Sequence, residues 1–127
     1  MPWRACWRDI DTGLLRRKRK GIIMRVEQEK VRTLIREYGL DATASVRCLD
    51  LVSEVGETAK EILKATDYGK AERMNAHEKM QEELGDCLFS LLALCEAAGI
   101  DACEALESAM NKYHARWKAR GSVGSGR

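Results

Sequence analysis

Two stretches decide the fold of this 127-residue chain: LVSEVGETAKEILK at residues 51–64 and EELGDCLFSLLAL at residues 82–94. In both, apolar residues recur at spacings of three and four, which is the period of an α-helix and not of a strand. Each stretch also contains an acid, an apolar residue, a glycine and a second acid in that order. Acids three apart share one helical face. The chain is therefore expected to present two acidic pairs on two successive helices.

The flanking sequence predicts four helices and no strand, because no stretch alternates between apolar and polar residues. Capping residues and glycines place the helices at about residues 25–38, 41–65, 77–98 and from Asp101 onward. The predicted fold is all-α, of the four-helix-bundle type. In the second helix we expect an apolar face to point inward, made of Leu49, Val52, Val55, Ala59, Ile62 and Leu63. A mid-helix glycine in each acidic stretch predicts a close approach of those two helices.

Three regions follow from the composition. Residues 1–23 include a basic arm, Arg16 to Lys20, and are predicted to be a disordered extension. Residues 24–120 form the helical domain, and the glycine- and serine-rich residues 121–127 a flexible tail. The third helix is apolar nearly all round between Leu84 and Leu94, more than a small four-helix unit can bury. We therefore expect a homo-oligomer, either a dimer or a tetramer.

The cysteines and the hydropathy of the sequence indicate where in the cell the protein is expected. The five cysteines contain no CxxC pair, which argues against a disulfide framework and against a zinc site. Cys48, Cys87, Cys95 and Cys103 are interpreted as small buried thiols. The longest apolar run, residues 84–100, carries two acids and is too short to span a membrane. The start of the sequence lacks the pattern of a secretion signal, so we expect a cytoplasmic protein without a membrane partner.

Charge is distributed unevenly. Residues 1–40 carry 11 basic and 5 acidic side chains, residues 41–111 carry 6 and 15, and residues 112–127 carry 5 and none. An acidic centre of this kind either faces water or is neutralised by the basic ends or by bound cations.

The acids of the two middle helices differ in their setting. The second helix places Asp50, Glu54, Glu57 and Glu61 within about 60° of one another, which by itself also fits a solvated face. On the third helix, Glu83 and Asp86 share their side with small apolar residues and are expected to be half-buried. A buried carboxylate needs a partner, which is either a lysine such as Lys79 or a metal ion. Four carboxylates on adjacent helices suit Mg²⁺ or Mn²⁺.

With its ExxE pair at Glu54 and Glu57 and its ExxD pair at Glu83 and Asp86, the sequence resembles the MazG-like nucleotide pyrophosphohydrolases. The resemblance covers about residues 26–126. It implies Mg²⁺-dependent hydrolysis of nucleoside triphosphates to monophosphate and pyrophosphate, with Mn²⁺ as the alternative metal. It also implies that these four acids hold the ion and that the protein assembles as a dimer or tetramer.

Two further roles follow from the resemblance. Lys112 and Arg116 lie four residues apart near the end of the fourth helix, where the family carries a similar basic segment. They are expected to bind substrate phosphates, although basic residues there also complement the helix dipole. Either Glu57 or Glu61 is expected to activate the attacking water. The sequence departs from many relatives at Ser53, where they carry a further glutamate, and leaves the base preference open.

Two other functions fit the same pattern. A phosphoribosyl-ATP pyrophosphatase would share the helical acid motifs. A non-catalytic interaction module would use the basic arm, with the acids only solvated. No aromatic residue interleaves that arm, so no nucleic-acid partner is expected.

Overall fold

The structure is a computed structural model that describes residues 14–74 and 77–125, with side chains described from residue 21 onward. Four helices account for most of this part of the chain: α1 (Leu14–Glu37), α2 (Ala44–Ala65), α3 (Glu78–Ala98) and α4 (Ala102–Arg120). The described ranges contain no strand, so the all-α prediction is confirmed there. None of these four helices is both long and apolar enough to cross a bilayer.

Local capping chemistry sets the helix ends. Thr43 caps α2, its side chain accepting a hydrogen bond from the Val46 amide. The left-handed Gly99, at φ 67°, ends α3, and the Asp101 side chain then accepts from the Glu104 amide at the start of α4. The predicted bounds of α2, α3 and the start of α4 are therefore confirmed.

The first helix differs from its prediction. It begins at Leu14, so the prediction of disorder is wrong for residues 14–23, while residues 1–13 lie outside the described part. Leucine, lysine and arginine favour helix and no proline interrupts the segment. The buried Gly21 also brings α1 close to α4, because a Cβ there would lie 3.4 Å from the Cys103 sulfur.

The tail was predicted to begin at residue 121. Gly121 ends α4 in a left-handed conformation at φ 65°. Beyond it, Arg116 donates to the Val123 carbonyl and Arg120 to the Gly124 carbonyl. Residues 126–127 lie outside the described part, and the flexibility of residues 121–127 stays a prediction.

Helix α2 packs along α3 in an antiparallel sense, and α1 packs on α3 and α4. Contacts pair Thr58 with Cys87 and, one turn later on α2, Glu61 with His77 at the start of α3. Residue numbers therefore rise along α2 where they fall along α3, which means that the two helices run antiparallel. The loop between them allows this arrangement.

Polar contacts fix α1 on the rest of the chain. The Gln28 side chain is only 7% exposed and hydrogen-bonds Glu96 (2.6 Å), the Ile100 carbonyl (2.9 Å) and the Ala102 amide (2.8 Å). Arg32 donates two further bonds to Glu96, at 2.6 and 3.0 Å. These bonds, those from Arg32 above all, hold the pKa of Glu96 below its usual value.

The face of α2 that packs against α3 is the opposite of the one expected. Leu49, Val52 and Val55 are 70%, 64% and 54% exposed, so the prediction that they point inward is wrong for the single chain. The side that carries Thr58 and Glu61 is buried instead. Both sides of α2 repeat with the period of a helix, so either side could pack on α3. The polar contacts with α3 favour the side that carries Thr58 and Glu61.

The same orientation overturns two smaller predictions. Cys48 lies on the free side of α2 and is exposed, whereas Cys103 is buried and Cys87 and Cys95 are half-buried. A Cβ on Gly56 or Gly85 would meet nothing within 4 Å, so these glycines do not mark close packing of α2 on α3. Both glycines border open apolar surface.

Candidate metal centre

The seam between α2 and α3 is polar for a helix–helix contact. Its buried side chains include Arg47, Thr58, Glu61 and Ser90. The Thr58 hydroxyl lies 3.1 Å from the Cys87 sulfur, which closes the middle of the seam. Acids of both helices therefore meet along the edge of this seam.

Three carboxylates converge there, in the groove between α2 and α3. One oxygen from each of Glu54, Glu83 and Asp86 lies within 4.8 Å of the other two. Glu54 comes from α2, whereas Glu83 and Asp86 lie one turn apart on α3. Glu54 and Glu83 are half-buried and Asp86 is exposed, so the group opens to solvent on one side.

This donor set fits a hard divalent cation. Mg²⁺ binds oxygens at about 2.1 Å, so opposite ligands in an octahedron lie about 4.2 Å apart. Three oxygens already within 4.8 Å need little movement to meet those distances. Three mutually repelling carboxylates at this range favour a bound cation, and the group contains no sulfur or imidazole ligand that would select a softer metal.

Glu57, the fourth acid of the predicted set, lies outside this group. Its carboxylate accepts from Lys60 at 3.1 Å, and both side chains are about half exposed. Such an exposed pair is worth about 0–1 kcal/mol. Little free energy therefore opposes rotation of Glu57 from Lys60 toward the groove.

Glu61 is the most buried acid of the described chain, with only 4% of its side chain exposed. It accepts a hydrogen bond from Lys64 at 2.8 Å, and the His77 Nε2 lies 3.9 Å from its other oxygen. The Lys64 bond, aided by the charges of Lys79 and His77, holds the pKa of Glu61 below its usual value. Glu61 is therefore a carboxylate ion at neutral pH.

Lys79 connects Glu61 with the three-acid group. Its Nζ lies 3.7 Å from Glu83, which is beyond hydrogen-bond distance but within reach of an ion pair. The sequence singled out Lys79 only as an alternative to a metal ion. The spacing i to i+4 predicted its contact with Glu83, whereas its influence on Glu61 depends on the packing of α2 against α3.

The two predicted phosphate-binding residues lie on another helix. Lys112 and Arg116 belong to α4, which packs on α1. Lys112 lies over the Tyr113 ring at 5.1 Å, and Arg116 donates to the Val123 carbonyl at 3.4 Å. The structure gives neither residue a contact with the carboxylate group.

A comparison with protein families identifies the helical unit that carries these acids. The model of the MazG nucleotide pyrophosphohydrolase domain matches residues 43–121, from the cap of α2 to the end of α4. The chain belongs to the MazG family. Its MazG domain is of the nucleotide pyrophosphohydrolase type, and the family generally uses a divalent metal. No curated protein and no solved structure matches the chain.

Sequence reasoning did not find the basic surroundings of Glu61 in this MazG domain. Lys64 and His77 lie at the two ends of a loop, and only tertiary packing brings His77 to α2. His77 is exposed, and its Nδ1 accepts from the Met80 amide and caps α3. The one available signal was the position of His77 directly before a helix.

Proposed function

We propose that this MazG domain hydrolyses nucleoside or deoxynucleoside triphosphates to monophosphate and pyrophosphate with Mg²⁺, and with Mn²⁺ as a substitute. The observation that carries the proposal is the convergence of Glu54, Glu83 and Asp86 within 4.8 Å between α2 and α3 of a domain of this family. Removal of damaged or surplus nucleotides is the physiological role this reaction suits.

In this proposal Glu54, Glu83 and Asp86 hold the ion, and Glu57 joins them after leaving Lys60. When bound, Mg²⁺ supplies neutralising charge to the phosphate oxygens during attack by water. A carboxylate accepts the proton of that water, and the two candidates remain Glu57 and Glu61. Lys112 and Arg116 stay proposed phosphate ligands, which would have to reach the groove from α4 or from another copy.

Self-association is part of the same proposal. Within the described residues only six apolar side chains are buried, and none is both large and fully buried. On α2 the exposed seam Leu49, Val52, Gly56, Ala59 and Leu63 has alternating spacings of three and four, as in helices that pack against a partner helix. Leu84, Leu88 and Leu91 of α3 are exposed as well. A dimer or tetramer would cover these faces.

The four described cysteines are free thiols and Cys48 is exposed. Exposed free thiols are typical of a reducing compartment. We therefore propose that the enzyme acts in the cytoplasm, on nucleotides and without a nucleic-acid partner.

A substrate panel with a matched pair of variants tests the reaction. Purified protein is incubated with Mg²⁺ and each common ribo- and deoxyribonucleoside triphosphate, and with phosphoribosyl-ATP, and the products are resolved by ion exchange. We expect monophosphate and pyrophosphate from at least one nucleoside triphosphate, and no product after removal of metal with EDTA.

The variant Glu83→Gln should lose activity and Mn²⁺ binding, whereas Glu82→Gln should retain both, because the exposed Glu82 neighbours the group without joining it. Hydrolysis of phosphoribosyl-ATP alone would move the assignment to that reaction. Absence of any product together with absence of Mn²⁺ binding would favour an interaction module, whose basic arm, Arg16 to Lys20, lies in α1.

A further inference from the structure

Two basic side chains lie at the buried carboxylate of Glu61, and a third, Lys79, lies nearby at Glu83. Lys64 donates to it from one turn along α2, and the His77 Nε2 approaches from the start of α3 at 3.9 Å. Lys79 adds a further positive charge from the first turns of α3. Glu61 lies inside this set, while the side chains of Lys64, His77 and Lys79 remain 49%, 41% and 58% exposed. We call these three residues the Glu61 basic group.

The Glu61 basic group lies directly beside the carboxylates of the candidate metal centre. Lys79 is the link, because its Nζ is 3.7 Å from Glu83, one of the three converging acids. The N-terminus of the 21-residue α3 points into the same region and adds partial positive charge. His77 is fixed in place as the cap of that helix, since its Nδ1 accepts from the Met80 amide.

Charge balance in this group differs from that of an ordinary surface ion pair. On α1, one exposed lysine, Lys30, pairs with one glutamate, Glu27, at 2.9 Å. Here the single buried carboxylate of Glu61 has Lys64 at 2.8 Å and the His77 Nε2 at 3.9 Å, and Lys79 lies next to them, 3.7 Å from Glu83. Lys79 depends in addition on Glu83, and it loses that partner when Glu83 binds a cation. The group can then offer positive charge to an anion beside the metal.

We propose that Lys64 and His77, held by Glu61, together with Lys79 beside Glu83, form the subsite for the pyrophosphate portion of a triphosphate substrate. This inference rests on the proposed function and gives the same site its phosphate ligands. Glu61 is then a positioning residue that orders Lys64 and His77, and the proton of the attacking water goes to Glu57. The subsite is complete within the α2–α3 pair and does not require Lys112 or Arg116.

Binding of inorganic triphosphate tests the subsite without turnover. Titration calorimetry in the presence of Mn²⁺ compares the wild-type protein with Lys79→Met and with the control Lys30→Met, whose lysine is similarly exposed and paired with one glutamate. We expect the Kd of triphosphate to rise about tenfold in Lys79→Met, as for loss of one charge-assisted contact, and to stay unchanged in Lys30→Met. Mn²⁺ affinity without triphosphate should stay the same or increase in Lys79→Met, because a competing cation is removed from Glu83.

The variant Glu61→Gln separates positioning from catalysis. Loss of an anchor for the phosphate donors should raise KM severalfold with kcat nearly unchanged, whereas loss of a base would lower kcat and leave KM as it was. An unchanged triphosphate Kd in Lys79→Met, or a selective fall of kcat in Glu61→Gln, would overturn the inference. Triphosphate binding that depends on Lys79 in a protein that hydrolyses no nucleotide would retain the subsite and refute the proposed reaction.

Discussion

At the scale of a single residue, the contact of Glu61 with Lys64 makes the free energy of unfolding depend on pH. The hydrogen bond from Lys64 lowers its folded pKa. Its stabilising contribution is therefore complete above its unfolded pKa of about 4.3 and is lost as pH falls through the lower folded pKa. We expect Glu61→Gln to weaken the loss of stability on acidification. Urea unfolding at a series of pH values from 7 to 3 checks this, with exposed Glu72→Gln as control. Equal pH slopes in wild type and Glu61→Gln would contradict it.

Glu57 is the residue expected to change position when the groove binds a metal ion. Because its exposed pair with Lys60 costs only about 0–1 kcal/mol to break, we expect Glu57 to join the bound ion. The variant Glu57→Gln should lower kcat by about 100-fold or more with unchanged helix content. Steady-state kinetics and circular dichroism measure the two effects. Exposed Glu107→Gln on α4 is the control, and full activity of Glu57→Gln would remove this residue from the site.

At the scale of the helices, Gln28 joins α1 to the junction of α3 and α4. It bonds both the Ile100 carbonyl and the Ala102 amide, groups that a helix end leaves without partners of its own. The variant Gln28→Met keeps the volume but removes both bonds and leaves the buried Ala102 amide unpaired, so we expect a loss of about 2 kcal/mol. Urea denaturation measures it, with exposed Gln81→Met on α3 as control. A loss as small as that of the control would show that α1 contributes little to stability.

Helix ends were predictable because their causes are local. Thr43, Gly99 and Asp101 act through the backbone within one turn, and each was readable from the sequence. The start of α1 was missed, although local helix propensity favours its extension toward Leu14, and the contact of Gly21 with Cys103, which is far away in sequence, adds support.

Helix faces were harder to predict than helix ends. Periodicity gives the residues that share a side of α2, but it does not tell which side meets α3. The side with Glu54 and Glu61 and the side with Leu49 have the same repeat, and only contacts made across the groove, those of Glu61 with His77 and of Thr58 with Cys87, favour the first. For the site, the ExxD spacing predicted that Glu83 and Asp86 lie together. The rotamer of Glu57, held by Lys60, depends on the local ion pair.

At the scale of the whole molecule, the exposed face of α2 predicts the association state. We expect sedimentation velocity to give a dimer or tetramer at micromolar concentrations, because Leu49 and Val52 belong to a continuous apolar face of α2 that the single chain leaves exposed. The variant Val52→Glu should shift the protein to monomer, while Val123→Glu in the tail should not. A monomeric wild-type protein would contradict the expectation.

The two faces of α2 have a consequence for regulation. One face carries Glu54 toward the candidate metal centre, and the opposite face carries Leu49 and Val52 to the surface. If ion binding at one face and subunit contact at the other both favour the same arrangement of α2 on α3, then the two equilibria are linked, and each strengthens the other by the same factor. Dilution would then weaken ion affinity, and rising magnesium would promote assembly. The concentration of the enzyme itself would set how much of it is active.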